Sequence, residues 1–416
     1  MDIDIRTDLY KREKYLSRIR GFYHECEIIK VLTGVRRCGK SSVMNLICAE
    51  LLESGVSKDN ILYLNLDKRP LRHIDTAGAL DALVAEHAGG KGTKYLFIDE
   101  VQNVKGFEQV INAWREEGDF SIFITGSNSY LLSGELTTRL TGRYIECGIL
   151  PLSFDEYLSF KDFFGLQVSR DLTAELRNFI YEGGFPYAVR LSSLNDKRTY
   201  VQSLIGEIFD KDIRRRVKIQ NRAAFDSVMK YVINNFGCEM SIGNIAEGLE
   251  KNGLRIKRET VSRYINALTG AKILMPCDRF DMKSRRSLGG NKKYYLADLS
   301  LYFALNTDNR INYGPVLENI VYCYAAGMDY MISTGRIGPL ECDFVMRDNE
   351  MNYSYVQVAY TIADSKDTEE REYRALESIA RDKYPRYLLT CDRLTQRRNG
   401  VIHASLTDFI AAGRRF

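Results

Sequence analysis

The sequence has no apolar run approaching the roughly twenty residues of a membrane-crossing helix, so no membrane association is expected. Its opening, Met1-Asp2-Ile3-Asp4-Ile5-Arg6, is acidic and short of apolar residues, unlike a secretory signal. Low-complexity segments and internal repeats are absent, and seven prolines are too few for extended proline-rich linkers. Nine cysteines occur without a C-x-x-C or paired spacing. That scatter fits a reducing cytoplasm and excludes a disulfide framework or a cysteine zinc site. A net charge of +4 is too small to attract nucleic acid in bulk, so any such role must rest on local patches. What remains is ordinary globular material: 416 residues, 45% apolar and 27% charged, enough for two to four domains.

The run Gly34-Val35-Arg36-Arg37-Cys38-Gly39-Lys40-Ser41 fits G-x-x-x-x-G-K-[ST], the phosphate-binding P-loop. An apolar strand, Ile28–Leu32, precedes it, and a helical start, Ser42–Ile47, follows it. Glycines at 34 and 39 let successive N–H groups face one anion, and the helix N-terminus adds partial positive charge. Lys40 is expected to reach the β- and γ-phosphates of ATP and Ser41 to ligate Mg²⁺, with Arg37, Cys38 and Ser42 completing the loop. At a helix N-terminus the Cys38 thiol could have a lowered pKa, although a passive small residue is the simpler reading.

A magnesium site needs an acid at the end of a buried strand, and Tyr95-Leu96-Phe97-Ile98-Asp99-Glu100 supplies it. Asp99 is read as the metal's carboxylate and Glu100 as the base that polarises the attacking water. Ser121–Asn128 reads as another strand, with Ser127 or Asn128 placed to sense the γ-phosphate or orient water. Arg139 and Arg143 precede a further strand, and either could reach a neighbouring subunit's γ-phosphate. Strands are predicted at 28–33, 61–66, 94–99, 121–125 and 143–149, an alternating α/β pattern for a parallel sheet.

Beyond residue 150 the character changes. Residues 151–221 read as helical and contain Gly183-Gly184-Phe185-Pro186, a bend that could press adenine or merely turn the chain. Residues 222–305 read as a winged helix, with Val261, Tyr264, Ile265 and Leu268 at core spacing. Lys257, Arg258 and Arg263 face outward, as double-stranded DNA contact or protein contact would require. Basic residues around Lys283–Arg286 and Asn291–Lys293 resemble a β-wing. Residues 306–416 mix helix and strand.

The runs Gly34–Ser42, Phe97–Gln102, Ile124–Ser129, Leu140–Tyr157 and Gly183–Val189 resemble the AAA-type ATPases of the MNS group within the STAND NTPases. The resemblance implies a P-loop core at 1–150, a helical lid at 151–221, a winged helix at 222–305, and a PD-(D/E)XK nuclease-like domain at 306–416. It favours Pro186 as an adenine contact. It also implies a nuclease-type site of Glu318, Asp343 and Gln357, binding Mg²⁺ through its carboxylates, but Ala359 stands where that pattern has lysine. The site is therefore read as non-cleaving, with Lys366 or Arg371 as the candidates to replace the lysine. The expected function is ATP hydrolysis by a homo-oligomer, a ring being one form of it, that remodels DNA or DNA complexes. The alternatives are a slow STAND-like assembly switch acting on protein partners, and an ATP-dependent nuclease.

Overall fold

Five all-parallel strands form the first sheet, whose three central strands are buried along their whole length. The computed structural model describes residues 8–89, 91–126, 140, 142–215, 217–306, 311–379, 382–393 and 395–416. They divide into two compact units, one of residues 1–150 with 270–272 and one holding the rest.

In the first unit the strands are β1 (Ile29–Thr33), β2 (Ile61–Asn65), β3 (Lys94–Asp99), β4 (Phe120–Thr125) and β5 (Tyr144–Gly148). Their order is β2-β3-β4-β1-β5, with every pairing parallel. The chain leaves β1 for the far edge, returns to lie beside it as β4, then crosses to its other side as β5. In such a sheet the ligand crevice opens at the carboxyl ends of the strands, where the connections diverge. The predicted spans match these five to within a residue or two, because the covered central strands are largely apolar runs; β5, at the edge, keeps Glu146 exposed. Among the described residues the α-helices of this unit are α1 (Glu13–Ile19), α2 (Lys40–Glu53), α3 (Ala77–Ala85) and α4 (Phe107–Glu116). The α4 stripe of Phe107, Val110, Ile111 and Trp114 recurs at helical spacing and buries with Leu80 and Val84 of α3 against β2, β3 and β4. Phe97 and Phe123 stack with centroids 4.5 Å apart, an arrangement worth about 1 kcal/mol beyond its area.

One polar residue interrupts the apolar centre. Lys30 on β1 is fully buried, with Nζ donating to the Glu25 carbonyl at 2.5 Å and to Ser121 Oγ at 2.7 Å, and standing 4.6 Å from the Phe123 ring centre. Burial pulls its pKa down to about 7.

The second unit is built on one sheet of nine strands, β6 (Glu239–Met240), β7 (Leu274–Asp281), β8 (Arg286–Leu296), β9 (Met331–Ile337), β10 (Leu340–Arg347), β11 (Tyr353–Val358), β12 (Arg386–Thr390), β13 (Gln396–Arg398) and β14 (Val401–Ser405). The order is β13-β14-β12-β11-β10-β9-β7-β8-β6. Its helices are α5 (Phe154–Phe163), α6 (Leu172–Glu182), α7 (Pro186–Val189), α8 (Leu194–Ile208), α9 (Arg222–Asn234), α10 (Ile242–Lys251), α11 (Arg258–Gly270), α12 (Ser300–Leu305), α13 (Tyr313–Gly327), α14 (Lys366–Glu377) and α15 (Leu406–Ala411). The hairpin read as a basic β-wing, β7–β8, is hydrogen-bonded into this sheet. Asp278–Asp281 of β7 run parallel to Ser333–Arg336 of β9. Sequence patterning marks each strand but not its neighbours, so a join across the 305/306 boundary was not visible in it.

Candidate nucleotide site

The P-loop takes its shape from two glycines. Gly34 has φ +148°, and a Cβ there would strike the Ile149 carbonyl and lie 2.7 Å from Cys38 Sγ. Gly39, φ +109°, is the N-cap of α2 and leaves the first N–H groups of that helix without a side-chain cap. Such a terminus attracts an anion. Lys40 is the first residue of α2 and is buried; its Nζ donates to the loop's own Gly34 and Val35 carbonyls at 2.9 and 3.3 Å. A cation held by carbonyl oxygens beside an uncapped helix N-terminus fits an anionic phosphate chain. Ser41 and Ser42 follow it, half-buried.

Arg12, absent from the sequence reading, braces the loop from beneath. Its Nη1 donates to the Cys38 carbonyl at 3.0 Å and to the Leu150 carbonyl at 2.8 Å. Nothing local in the sequence marks a partner twenty-six positions away. Cys38 itself is buried, and burial pushes its thiol up rather than down, in keeping with a passive small residue rather than an activated cysteine. Arg37 is exposed with φ +67°, a conformation few non-glycine residues adopt.

Asp99 ends β3, 1% exposed, and is held on both oxygens. Thr125 Oγ1 donates to Oδ1; Asn65 Nδ2 donates to Oδ2 at 3.1 Å, and the Tyr63 hydroxyl approaches Oδ2 at 3.5 Å. Burial, with the Asp99 charge second, pushes the Tyr63 hydroxyl well above its usual range. Glu100 adopts φ +61°, a strained conformation of about 1–2 kcal/mol for a residue with a Cβ. Its N–H donates to Thr125 Oγ1 at 3.1 Å, and Gln102 Nε2 donates to its Oε2 at 2.5 Å. Thr125 therefore positions both acids, and the signal for it was present: a polar residue closing an apolar strand next to β3. Asn45 of α2 donates to the Ser41 carbonyl at 2.7 Å and to the Tyr63 hydroxyl at 3.2 Å, tying the loop helix to the Asp99 network.

The remaining predicted residues fall in three places. Ser127, Asn128 and Arg139 lie outside the described residues. Arg143 is exposed at the amino end of β5, where Tyr144 pairs with Ile29 and Gly148 with Thr33. The P-loop leaves the opposite end, so about 15 Å of strand separates Arg143 from its own phosphate site. Pro186 opens α7 in the second unit. There the Gly183-Gly184 bend is a packing device: Gly184 N–H donates to Asp298 Oδ2 at 2.6 Å, and Leu152 N–H donates to the Gly184 carbonyl at 2.8 Å. Burial raises Asp298 to about 6.

Also in the second unit, Lys257, Arg258 and Arg263 are exposed on or beside α11 while Val261, Tyr264, Ile265 and Leu268 are buried, as their spacing predicts. Arg258 makes only a long 3.4 Å contact with Glu247. Asp343 and Gln357 meet across β10 and β11: the Asp343 N–H donates to Gln357 Oε1 at 3.3 Å, and Val358 N–H donates to Asp343 Oδ2 at 2.8 Å. Burial, with the Glu318 charge second, pushes the Asp343 carboxyl well up. Lys366 is exposed, and Arg371 pairs with Glu372 at 2.8 Å. The cation beside these acids is Lys293 of β8, which donates to Glu318 at 3.0 Å. Alternation along β8 could have revealed it, since Lys293 shares a face with buried Tyr295.

Residues 27–158 match the family model of an AAA domain, and residues 173–311 match a domain of unknown function, DUF8612. The chain is 31% identical over 363 residues to an uncharacterized protein of Haemophilus influenzae, covering 86% of this chain and 88% of that one. It is 30% identical over 363 residues to the uncharacterized protein MJ1544 of Methanocaldococcus jannaschii, covering 85% and 79%. The Walker-type ATPase PABY2304 of Pyrococcus abyssi superposes on 72% of this chain and 97% of its own with a TM-score of 0.51 and 14% identity, a likeness of fold. Among the described residues no helix is long and apolar enough to cross a membrane. Kinship that runs most of the length of both relatives, with an AAA domain matched across the P-loop core, makes this chain a member of the AAA-domain P-loop ATPase family.

Proposed function

We propose that the protein binds ATP with Mg²⁺ at the P-loop and hydrolyses it, that it works as a homo-oligomer, and that it acts on double-stranded DNA. The observation that carries the first part is the uncapped start of α2, with Lys40 buried against the loop carbonyls. On this reading Lys40 Nζ exchanges the Gly34 and Val35 carbonyls for phosphate oxygens, and the first N–H groups of α2 donate beside it. Ser41 and Asp99 would hold the metal, Asp99 being fixed by Thr125 and Asn65. The nucleotide, when bound, brings the γ-phosphate, and its Mg²⁺ supplies Lewis acidity. Glu100 Oε2 accepts the proton of a water once Gln102 releases it. That Gln102 contact favours slow, switch-like turnover over a fast motor. Hydrolysis rate with and without DNA, measured alongside the oligomer's mass, separates the two. A motor accelerates on DNA; a switch changes mass with ATP at little turnover.

The place of Arg143, at the sheet end away from its own P-loop, supports action on a neighbour. Arg143→Ala is expected to bind ATP and to lose hydrolysis, and mixing it with Lys40→Ala subunits should restore part of the activity. Full activity in an Arg143→Ala monomer would sink this assignment.

DNA contact rests on the outward cations of α11. Replacing Lys257, Arg258 and Arg263 together with alanine should weaken duplex binding. It should also flatten the salt dependence by up to about one unit of log–log slope per lost phosphate contact. Unchanged affinity and slope would assign this face to a protein partner.

A further inference from the structure

The resemblance implies a divalent-metal site at Glu318 and Asp343, and the residues present do not fit one. Lys293, 6% exposed, enters the cluster from β8. Its Nζ stands 3.0 Å from Glu318 Oε2 of α13 and 2.9 Å from Glu341 Oε1 of β10. The same Glu318 oxygen accepts the Tyr295 hydroxyl at 2.8 Å. The Asp343 carboxylate is taken on one side by the Val358 N–H. With the side chains arranged as they are around Lys293, no group of three or more His, Cys, Asp or Glu among the described residues stands close enough to hold a metal ion.

We infer that Lys293 stands where a divalent cation would stand among Glu318, Glu341 and Asp343, so that this site neutralises its own acids and takes up no metal. The ammonium is donated into the lone pairs a metal would need. A doubly charged ion entering beside it would meet a like charge in a setting with little water to screen it. It would also have to take Glu318 from both Lys293 and Tyr295. Lys293 cannot simply withdraw, because its departure would leave buried Asp343 near Glu318 with no cation to offset the two charges. Lysine is suited to the place: a compact point charge on a flexible stem reaches two acids from different elements. The cluster lies wholly within the second unit, and the inference is independent of how the P-loop works. It makes the ATP-dependent nuclease the least supported of the three functional readings, since cleavage of that type requires the metal.

Mn²⁺ binding to the full chain without nucleotide, followed by the electron paramagnetic resonance signal of free Mn²⁺, tests this. Wild type and Asp343→Asn should titrate alike. Lys293→Met should gain one bound Mn²⁺ per chain, and the double variant Lys293→Met/Asp343→Asn should lose it again. Wild-type binding that falls in Asp343→Asn overturns the inference, as does a folded Lys293→Met with no gain. If Lys293→Met does not fold, the comparison of wild type with Asp343→Asn decides alone.

Discussion

Glu100→Gln is expected to bind ATP nearly as wild type does and to hydrolyse it at least about a hundredfold more slowly, the usual scale for a lost general base. The substitution keeps the size of the side chain and the N–H bond to Thr125 Oγ1, which belongs to the backbone. Only the proton acceptor at Oε2 goes. Lys40→Ala should lower binding as well as hydrolysis, because on the proposed reading the lost group would touch the phosphates before and during reaction. Removing a charged hydrogen-bond donor costs about 1.5–3 kcal/mol, or roughly ten- to a hundredfold in affinity. Equilibrium binding of a fluorescent ATP analogue, read beside single-turnover hydrolysis, distinguishes the two variants. Wild-type hydrolysis by Glu100→Gln would mean that another group activates the water.

Gly184→Ala should unfold the second unit at a temperature lower by on the order of 10 °C. A Cβ at this position drives into the Leu152 carbonyl and comes within 2.9 Å of the Leu152 nitrogen, both backbone atoms that cannot rotate aside. Relief requires the bend to move, which breaks the Leu152 N–H bond to Gly184 and strips the Gly184 N–H from buried Asp298. Overpacking of about 1–3 kcal/mol adds to about 1–3 kcal/mol for a buried acceptor left short of its donor. Differential scanning calorimetry with nucleotide binding as a control for the first unit reads the effect. An unchanged transition would show that the bend relaxes freely and that the glycines are not there for packing.

These two experiments sit at opposite ends of what could be read without coordinates. The P-loop, Asp99 and Glu100 were legible because each is local: a short run of residue types whose neighbours along the chain are also its neighbours in space. The five strands were legible because each is a short, mainly apolar run, most nearly unbroken in the central strands that are covered on both faces. The buried face of α11 followed from spacing alone. Gly183-Gly184 was visible as a bend, but its meaning was not, since Leu152 and Asp298 approach it from far along the chain.

By itself, then, the sequence determined that this is a P-loop protein, which lysine and which acids are the candidates to face a phosphate chain, and which face of α11 is buried. Tertiary structure decided what holds those residues: Arg12 under the loop, and Thr125 and Asn65 on the acids. It decided that Arg143 stands at the sheet end away from its own loop, because strand direction and register are properties of pairing. It decided that the wing strands are shared with the C-terminal sheet. It also supplied Lys293, from a strand read as an outward basic face, to the acids that lack their own lysine. The physical reason is the same in each case. Propensity and periodicity act over one turn of helix or a few residues of strand, whereas charge pairing and close packing act over a few ångströms, whatever the separation along the chain.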